Sequence, residues 1–96
     1  MREQQIRERA KDLLLKESSE PLRWFYISYA DEEGFRGAVI VEAHGWLSAV
    51  KRSRELGISP GGQALGREIP EEALIKLPED MKNRLLTRAE IEERWN

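Results

Sequence analysis

Ninety-six residues, 40% hydrophobic and 35% charged, describe one small soluble domain with a single core and no room for an elaborate buried catalytic cavity. Sixteen basic against eighteen acidic side chains exclude a strongly basic domain of the kind that holds long nucleic acid. The absence of cysteine removes disulfides, thiolate metal sites and cysteine nucleophiles together, and no stretch approaches the roughly 20 apolar residues that span a bilayer.

Residues 2–17 place Ile6, Ala10, Leu13 and Leu14 at helical spacing among charged side chains, which predicts an amphipathic N-terminal helix with a narrow apolar stripe. The stripe packs either on the domain's own sheet or on a second copy. Ser18-Ser19-Glu20-Pro21 ends the helix, and Met1 to Gln5 does not lead into a signal-peptide apolar core, so the chain reads as cytoplasmic.

Leu22 to Ala30 predicts a strand whose alternation separates Phe25, Ile27 and Tyr29 from Trp24, Tyr26 and Ser28. Aromatics on both faces imply a central strand, or one with a face covered by the N-terminal helix or another subunit. Asp31 to Gly34 has the composition of a four-residue hairpin loop, with Gly34 in its left-handed position. The second strand, Phe35 to Ala43, sets Phe35, Gly37, Val39, Val41 and Ala43 toward the core, with Arg36, Ala38, Ile40 and Glu42 opposite. His44-Gly45 breaks it, and His44 is placed to cap the helix that follows.

Trp46 to Leu56 reads as that helix, with Trp46, Ala49, Val50, Ser53 and Leu56 as its buried stripe and Lys51, Arg52 and Arg54 exposed. Gly57 supplies a left-handed cap, Ile58 the apolar contact that accompanies such caps, and Pro60 stops continuation. Gly61-Gly62 turns the chain into a third strand, Gln63 to Ile69, which can pair parallel to the second or antiparallel to the first. Pro70-Glu71-Glu72 and Pro78 begin short helices, Met81 and Leu85 form one apolar line, and Thr87 with Glu90 makes a capping box ahead of Ile91 and Trp95. The fold class is α+β, a single domain of order α-β-β-α-β-short α. It comprises an N-terminal helix (1–17), a ββαβ core (22–69) with a helix on a three-stranded sheet, and C-terminal helices (70–96). A domain this small is marginal alone and the sheet leaves two edges, so a homo-oligomer is expected.

The chemistry points away from catalysis. His44 is the only histidine, without the neighbours of a catalytic triad or zinc motif, and the acids at 31–33 and 71–72 sit side by side in turns. The expectation is no enzyme, no cofactor and no metal. The turn from Gly57 to Gly62 is the best binding surface, because consecutive glycines let N–H groups converge on an anion. Ser59, Gly61 and Gly62, with Arg52, Arg54 and Arg67 as countercharge, form the anion site, and Trp24 or Tyr26 would stack a base. The same glycines also read as a helix cap and a tight turn needing no ligand.

The stretches WFYISYAD and FRGAVIVEAHGWLSAVKRSRELGISPGG together resemble a small protein type encoded by bacteria and their phages. The type combines an aromatic strand ending in Ala-Asp, a G-A-V-I-V-E-A strand, an A-V helix and an L-G-I-[NS]-P-G-G turn, here Trp24–Asp31, Gly37–Ala43, Ala49-Val50 and Leu56–Gly62. The resemblance covers about half the chain, implies a phage-related setting in a bacterial cell, and supplies no catalytic residues. The expected function is therefore a non-enzymatic binder of an anionic metabolite or signalling nucleotide, in one version a phage protein sequestering a host immune signal. The alternative is a module that binds or inhibits a host protein through the N-terminal helix or a sheet edge.

Overall fold

The computed structural model describes residue 12 and residues 14–95. Strand β1 (Arg23–Asp31) pairs antiparallel with β2 (Gly34–Ala43), and helix α1 (Trp46–Glu55) carries the chain across the sheet to β3 (Gln63–Glu68). The sheet order is β2-β1-β3, so β1 is central, and the third strand pairs antiparallel with the first. Helices α2 (Glu71–Leu74) and α3 (Arg88–Arg94) follow, with a 3-10 turn at Glu79–Met81 between them. The domain is α+β. Residues 14–17 are helical ahead of the sheet, whereas Ile6, Ala10 and Leu13 of the predicted stripe lie outside the described residues. Among those described, no helix is long and apolar enough to cross a membrane.

Two cores form where the sequence predicts one. Phe25, Ile27, Tyr29, Val39, Val41 and Ala43 meet Ala49, Trp46, Val50 and Ile58 on the α1 face. On the other face Ile40, with Trp24 and Tyr26, is covered by Ile69, Leu77, Met81, Leu86, Ile91 and Trp95 from the C-terminal third. Each fully buried large side chain contributes about 1.5–3 kcal/mol, so neither face of a central strand this apolar can be left in water. The helix layer is joined to the sheet by one buried polar link: Ser53 Oγ donates to the Val50 carbonyl (2.8 Å), so the Tyr29 hydroxyl must donate to Ser53 Oγ (2.5 Å).

The alternation predicted for β2 breaks at its start. Tyr29 pairs with Gly37 but Ala30 pairs with Phe35, leaving Arg36 as the extra residue of a bulge. Phe35 is thereby moved off the α1 face, and its ring lies under the Arg88 guanidinium (5.2 Å) on the C-terminal face. The hairpin is also tighter than expected. Asp31 still pairs with Gly34 (φ 117°), leaving Glu32-Glu33 as the tip, with Asp31 accepting from Glu33 N–H (2.9 Å).

Helix α1 is capped at both ends, but not by His44. Its first free N–H groups, Leu47 and Ser48, donate to the Glu17 carboxylate (3.0 and 2.8 Å), which also accepts from Ser48 Oγ (2.7 Å). A Cβ at Gly45 would collide with that carboxylate, so glycine at the break makes the approach possible. His44 instead meets the Glu20 carbonyl through Nδ1 (2.7 Å). At the other end Gly57 (φ 71°) donates to the Arg54 carbonyl and Ile58 to that of Ser53, both at 3.0 Å, a Schellman pair that brings Ile58 onto the core. Leu56, predicted in the buried stripe, is 37% exposed because the helix ends there and Ile58 takes the apolar place.

Met81 is buried as predicted, but Leu85 is exposed, because after the 3-10 turn the chain extends rather than continuing as helix. Residues 83–86 lie along the outer edge of β2: Asn83 N–H donates to the Ile40 carbonyl (2.8 Å), and Ala38 and Leu86 exchange both backbone bonds (3.1 and 2.7 Å). Gly37 permits this approach, since a Cβ there would press on the Leu85 side chain and the Leu86 carbonyl. Of the two expected free edges, only that of β3 lacks a backbone partner among the described residues.

Two stability outcomes are expected. Tyr29→Phe removes one buried hydrogen bond and costs about 1 kcal/mol, while Ser53→Ala strands the tyrosine hydroxyl and costs about 1–3 kcal/mol. The double variant should cost less than the sum of the two in urea denaturation; additive losses would show that the pair is not coupled. Burial opposes ionisation of Glu17, but its hydrogen bonds from Ser48 and Leu47 outweigh it and hold the carboxyl below its ordinary 4.5. Its contribution is then present above that pH and lost as pH falls through the lowered folded value. Glu17→Ala should cost about 1 kcal/mol at pH 7 and close most of the gap with the parent chain in strong acid, measured as melting temperature against pH.

Candidate functional site

Beyond Glu68 the chain turns at Ile69-Pro70 into α2, and the space between the end of β3, α2 and Trp95 is an open cleft of about 670 Å³. Its walls are Tyr26, Ile69, Ala73 and Trp95, with Arg67 and Lys76 at its rim. Tyr26 is positioned by β1, and Arg67 lies beside it because the two are register partners across β1 and β3. Trp95 comes from the far end of the chain. Its ring lies 5.7 Å from that of Tyr26 at 44°, and its Nε1–H donates to the Ala73 carbonyl (3.4 Å).

The local structure holding Trp95 follows from charge. Thr87 and Glu90 form the predicted capping box of α3, with Glu90 N–H donating to Thr87 Oγ1 and Thr87 N–H to the Glu90 carboxylate, both at 3.2 Å. Arg84 pairs with Glu90 at 2.6 Å, and Arg94 makes a two-pronged contact with Asp80 at 2.7 and 2.6 Å. The Arg94 fork on Asp80, and the Arg84 guanidinium on Glu90, hold both carboxyls below their ordinary range. These contacts fix the last helix against the 3-10 turn and set the indole over the cleft.

The cleft's polar groups differ in how far they are committed. Glu68, at the end of β3, turns its carboxylate to the opposite face, where it pairs with Arg23 Nη1 (2.8 Å) while Arg23 Nη2 donates to the His44 carbonyl (2.9 Å). The side chains of Arg67, Lys76 and Glu72 form no ion pair or hydrogen bond among the described residues. Burial raises the Tyr26 hydroxyl above its ordinary pKa of 10, an effect the nearby Arg88 charge partly offsets, so it remains a protonated donor at neutral pH. The arrangement can bind a planar group against Tyr26 and Trp95 and a negative group at Arg67 and Lys76. No group of three or more acidic or histidine side chains among the described residues is placed to hold a metal ion.

The eight residues singled out in the sequence are divided among three places. Tyr26 and Arg67 share the cleft. Trp24 is on the same face, but the Lys82 ammonium, itself bonded to Glu79 (2.7 Å), lies 4.6 Å from its ring centre. Arg52 and Arg54 are on α1, across the sheet; Arg52 borders a smaller hollow of about 470 Å³ with His44 and Ser48. Ser59, Gly61 and Gly62 lie at the end of β1 near Ala30, four residues or about 13 Å of strand from Tyr26. In that turn Gly61 N–H donates to Ser59 Oγ (3.4 Å), and Gly61 and Gly62 have φ of 83° and 94°. Sequence reasoning missed Lys76, Ala73 and Trp95 as cleft residues. The four-residue spacing of Ile91 and Trp95 was the signal for the last of these, but it marks only a shared helix face and not what that face meets.

No family model, curated protein or solved structure matches the chain.

The geometry of the glycine turn yields a direct expectation. A Cβ at Gly61 meets nothing within 4 Å, so Gly61→Ala should cost only the left-handed backbone penalty of about 1–2 kcal/mol. At Gly62 the added Cβ would stand 2.6 Å from the Ala30 carbonyl oxygen, so Gly62→Ala should cost clearly more. Equal losses in thermal unfolding would contradict the close approach to Ala30.

Proposed function

We propose that the protein is a non-enzymatic binder of a small ligand that combines a flat ring with an anionic group, a nucleotide or an anionic aromatic metabolite, in the cleft of Tyr26, Arg67, Lys76 and Trp95. The observation that carries this reading is the pairing of two uncommitted cations with two aromatic walls in one open cleft. Aromatic stacking contributes about 1–3 kcal/mol per base, and a charge-assisted bond to Arg67 supplies the orientation that stacking lacks. This reading keeps Tyr26 and Arg67 and sets the binding centre along β1 from the glycine turn, on the C-terminal face of the sheet. A phage protein sequestering a host signalling nucleotide, in the cytoplasm of a bacterial cell and as an oligomer, is the setting this reading takes from the resemblance of its strand and turn motifs.

Native mass spectrometry of the chain purified from phage-infected bacteria, alongside titration with a panel of nucleoside monophosphates and cyclic nucleotides, tests the reading. A stoichiometric small mass is expected, and Arg67→Ala/Lys76→Ala and Trp95→Ala should each weaken its binding at least about tenfold while the fold persists. A ligand held equally by both variants, or no retained mass and no binding across the panel, would overturn it.

A further inference from the structure

The two long edges of the sheet are treated differently. Residues 83–86 cover the edge of β2, while β3 offers its outer edge with five of its six residues exposed. Ile69 N–H donates to the Trp24 carbonyl (2.8 Å), and in an antiparallel ladder the direction of the backbone groups alternates. Arg67, Leu65 and Gln63 therefore address β1, and the N–H and C=O groups of Ala64, Gly66 and Glu68 address the open side. On the cleft face of that edge stand Leu65, 57% exposed, and Arg67, without an ion-pair partner among the described residues. Beyond them the same line enters the apolar mouth of the cleft at Ile69 and Pro70.

We infer that the edge of β3 receives an extended segment of another protein as a fourth strand, and that this segment carries an acidic side chain flanked at two-residue spacing by apolar ones. Residues at alternate positions share one face of a strand, so the acid stands across from Arg67, one apolar neighbour across from Leu65, and the other over the cleft mouth. Charge complementarity selects this occupant over a second copy of the chain. The antiparallel registers that pair at least two outward-facing residues of each of two β3 strands put Arg67 across from Gln63, Leu65 or another Arg67. None supplies an anion, because Glu68 projects to the other face and is held by Arg23. The inference does not rest on the small-ligand reading, although both engage Arg67, and it is tested without any small ligand present.

The probe is a capped heptapeptide, Thr-Val-Thr-Glu-Thr-Val-Thr, whose pattern is the same in both strand directions, with a control in which lysine replaces glutamate. Amide exchange in the full chain is followed by NMR while each peptide is titrated. The glutamate peptide should slow exchange at Gly66 and Glu68 and bind about fivefold tighter than the lysine peptide, and Arg67→Glu should reverse that order. Unchanged exchange at Gly66 and Glu68, indifference to the peptide's charge, or protection that is present without peptide and vanishes on dilution would each overturn the inference, the last by assigning the edge to a second copy.

Discussion

The constraint on which this structure depends is that β1 is apolar on both sides. Phe25, Ile27 and Tyr29 alternate with Trp24 and Tyr26, so a single covering layer would leave two large aromatic side chains in water. Helix α1 answers the first face with Ala49 and Val50. The second has no long helix to answer it, and the C-terminal third solves the problem with short pieces: a buried Ile69, a four-residue helix, a 3-10 turn that buries Met81, an extended run and a last helix that brings Trp95. Such pieces are too short to be stable helices on their own. They hold their shape through what they cover and through surface ion pairs such as Asp80 with Arg94.

This division explains what could be read from the residues. Period-two and helical spacing located β1, β2 and α1 to within a residue, and the glycine at 57 marked the helix end because a left-handed cap favours a residue without a Cβ. The bulge at Arg36 was not legible, since an extra residue leaves the composition of a strand unchanged while reversing the sides of whatever precedes it. The cap supplied by Glu17 was equally hidden, because it is a contact between residues about 30 apart in the chain. The cleft was half legible. Tyr26 could be named from its strand, but its neighbours Lys76 and Trp95 arrive through loops whose course is decided by the hydrophobic second face.

The glycines show how one residue type can serve several backbone roles. Three of them in six positions suggest an anion cradle, yet their geometric roles are separate. Gly57 closes a helix, Gly61 turns the chain, and Gly62 passes against the Ala30 carbonyl. Gly66, away from that cluster, is under the tightest constraint, because any Cβ there would run into the carbonyl of Tyr26. It lets β3 settle closely on β1 beside the cleft, so the position of Arg67 relative to Tyr26 rests on a residue with no side chain.

The two cores have a mechanical consequence. They lie on opposite sides of one layer of backbone and share no side chain, so a void or an oversized group in one is not relieved by repacking in the other. The sheet acts as a partition. The α1 side can hold its shape while the C-terminal side, which forms the cleft, changes its side chains, and substitutions along the cleft need not disturb the helix and hairpin that define the fold.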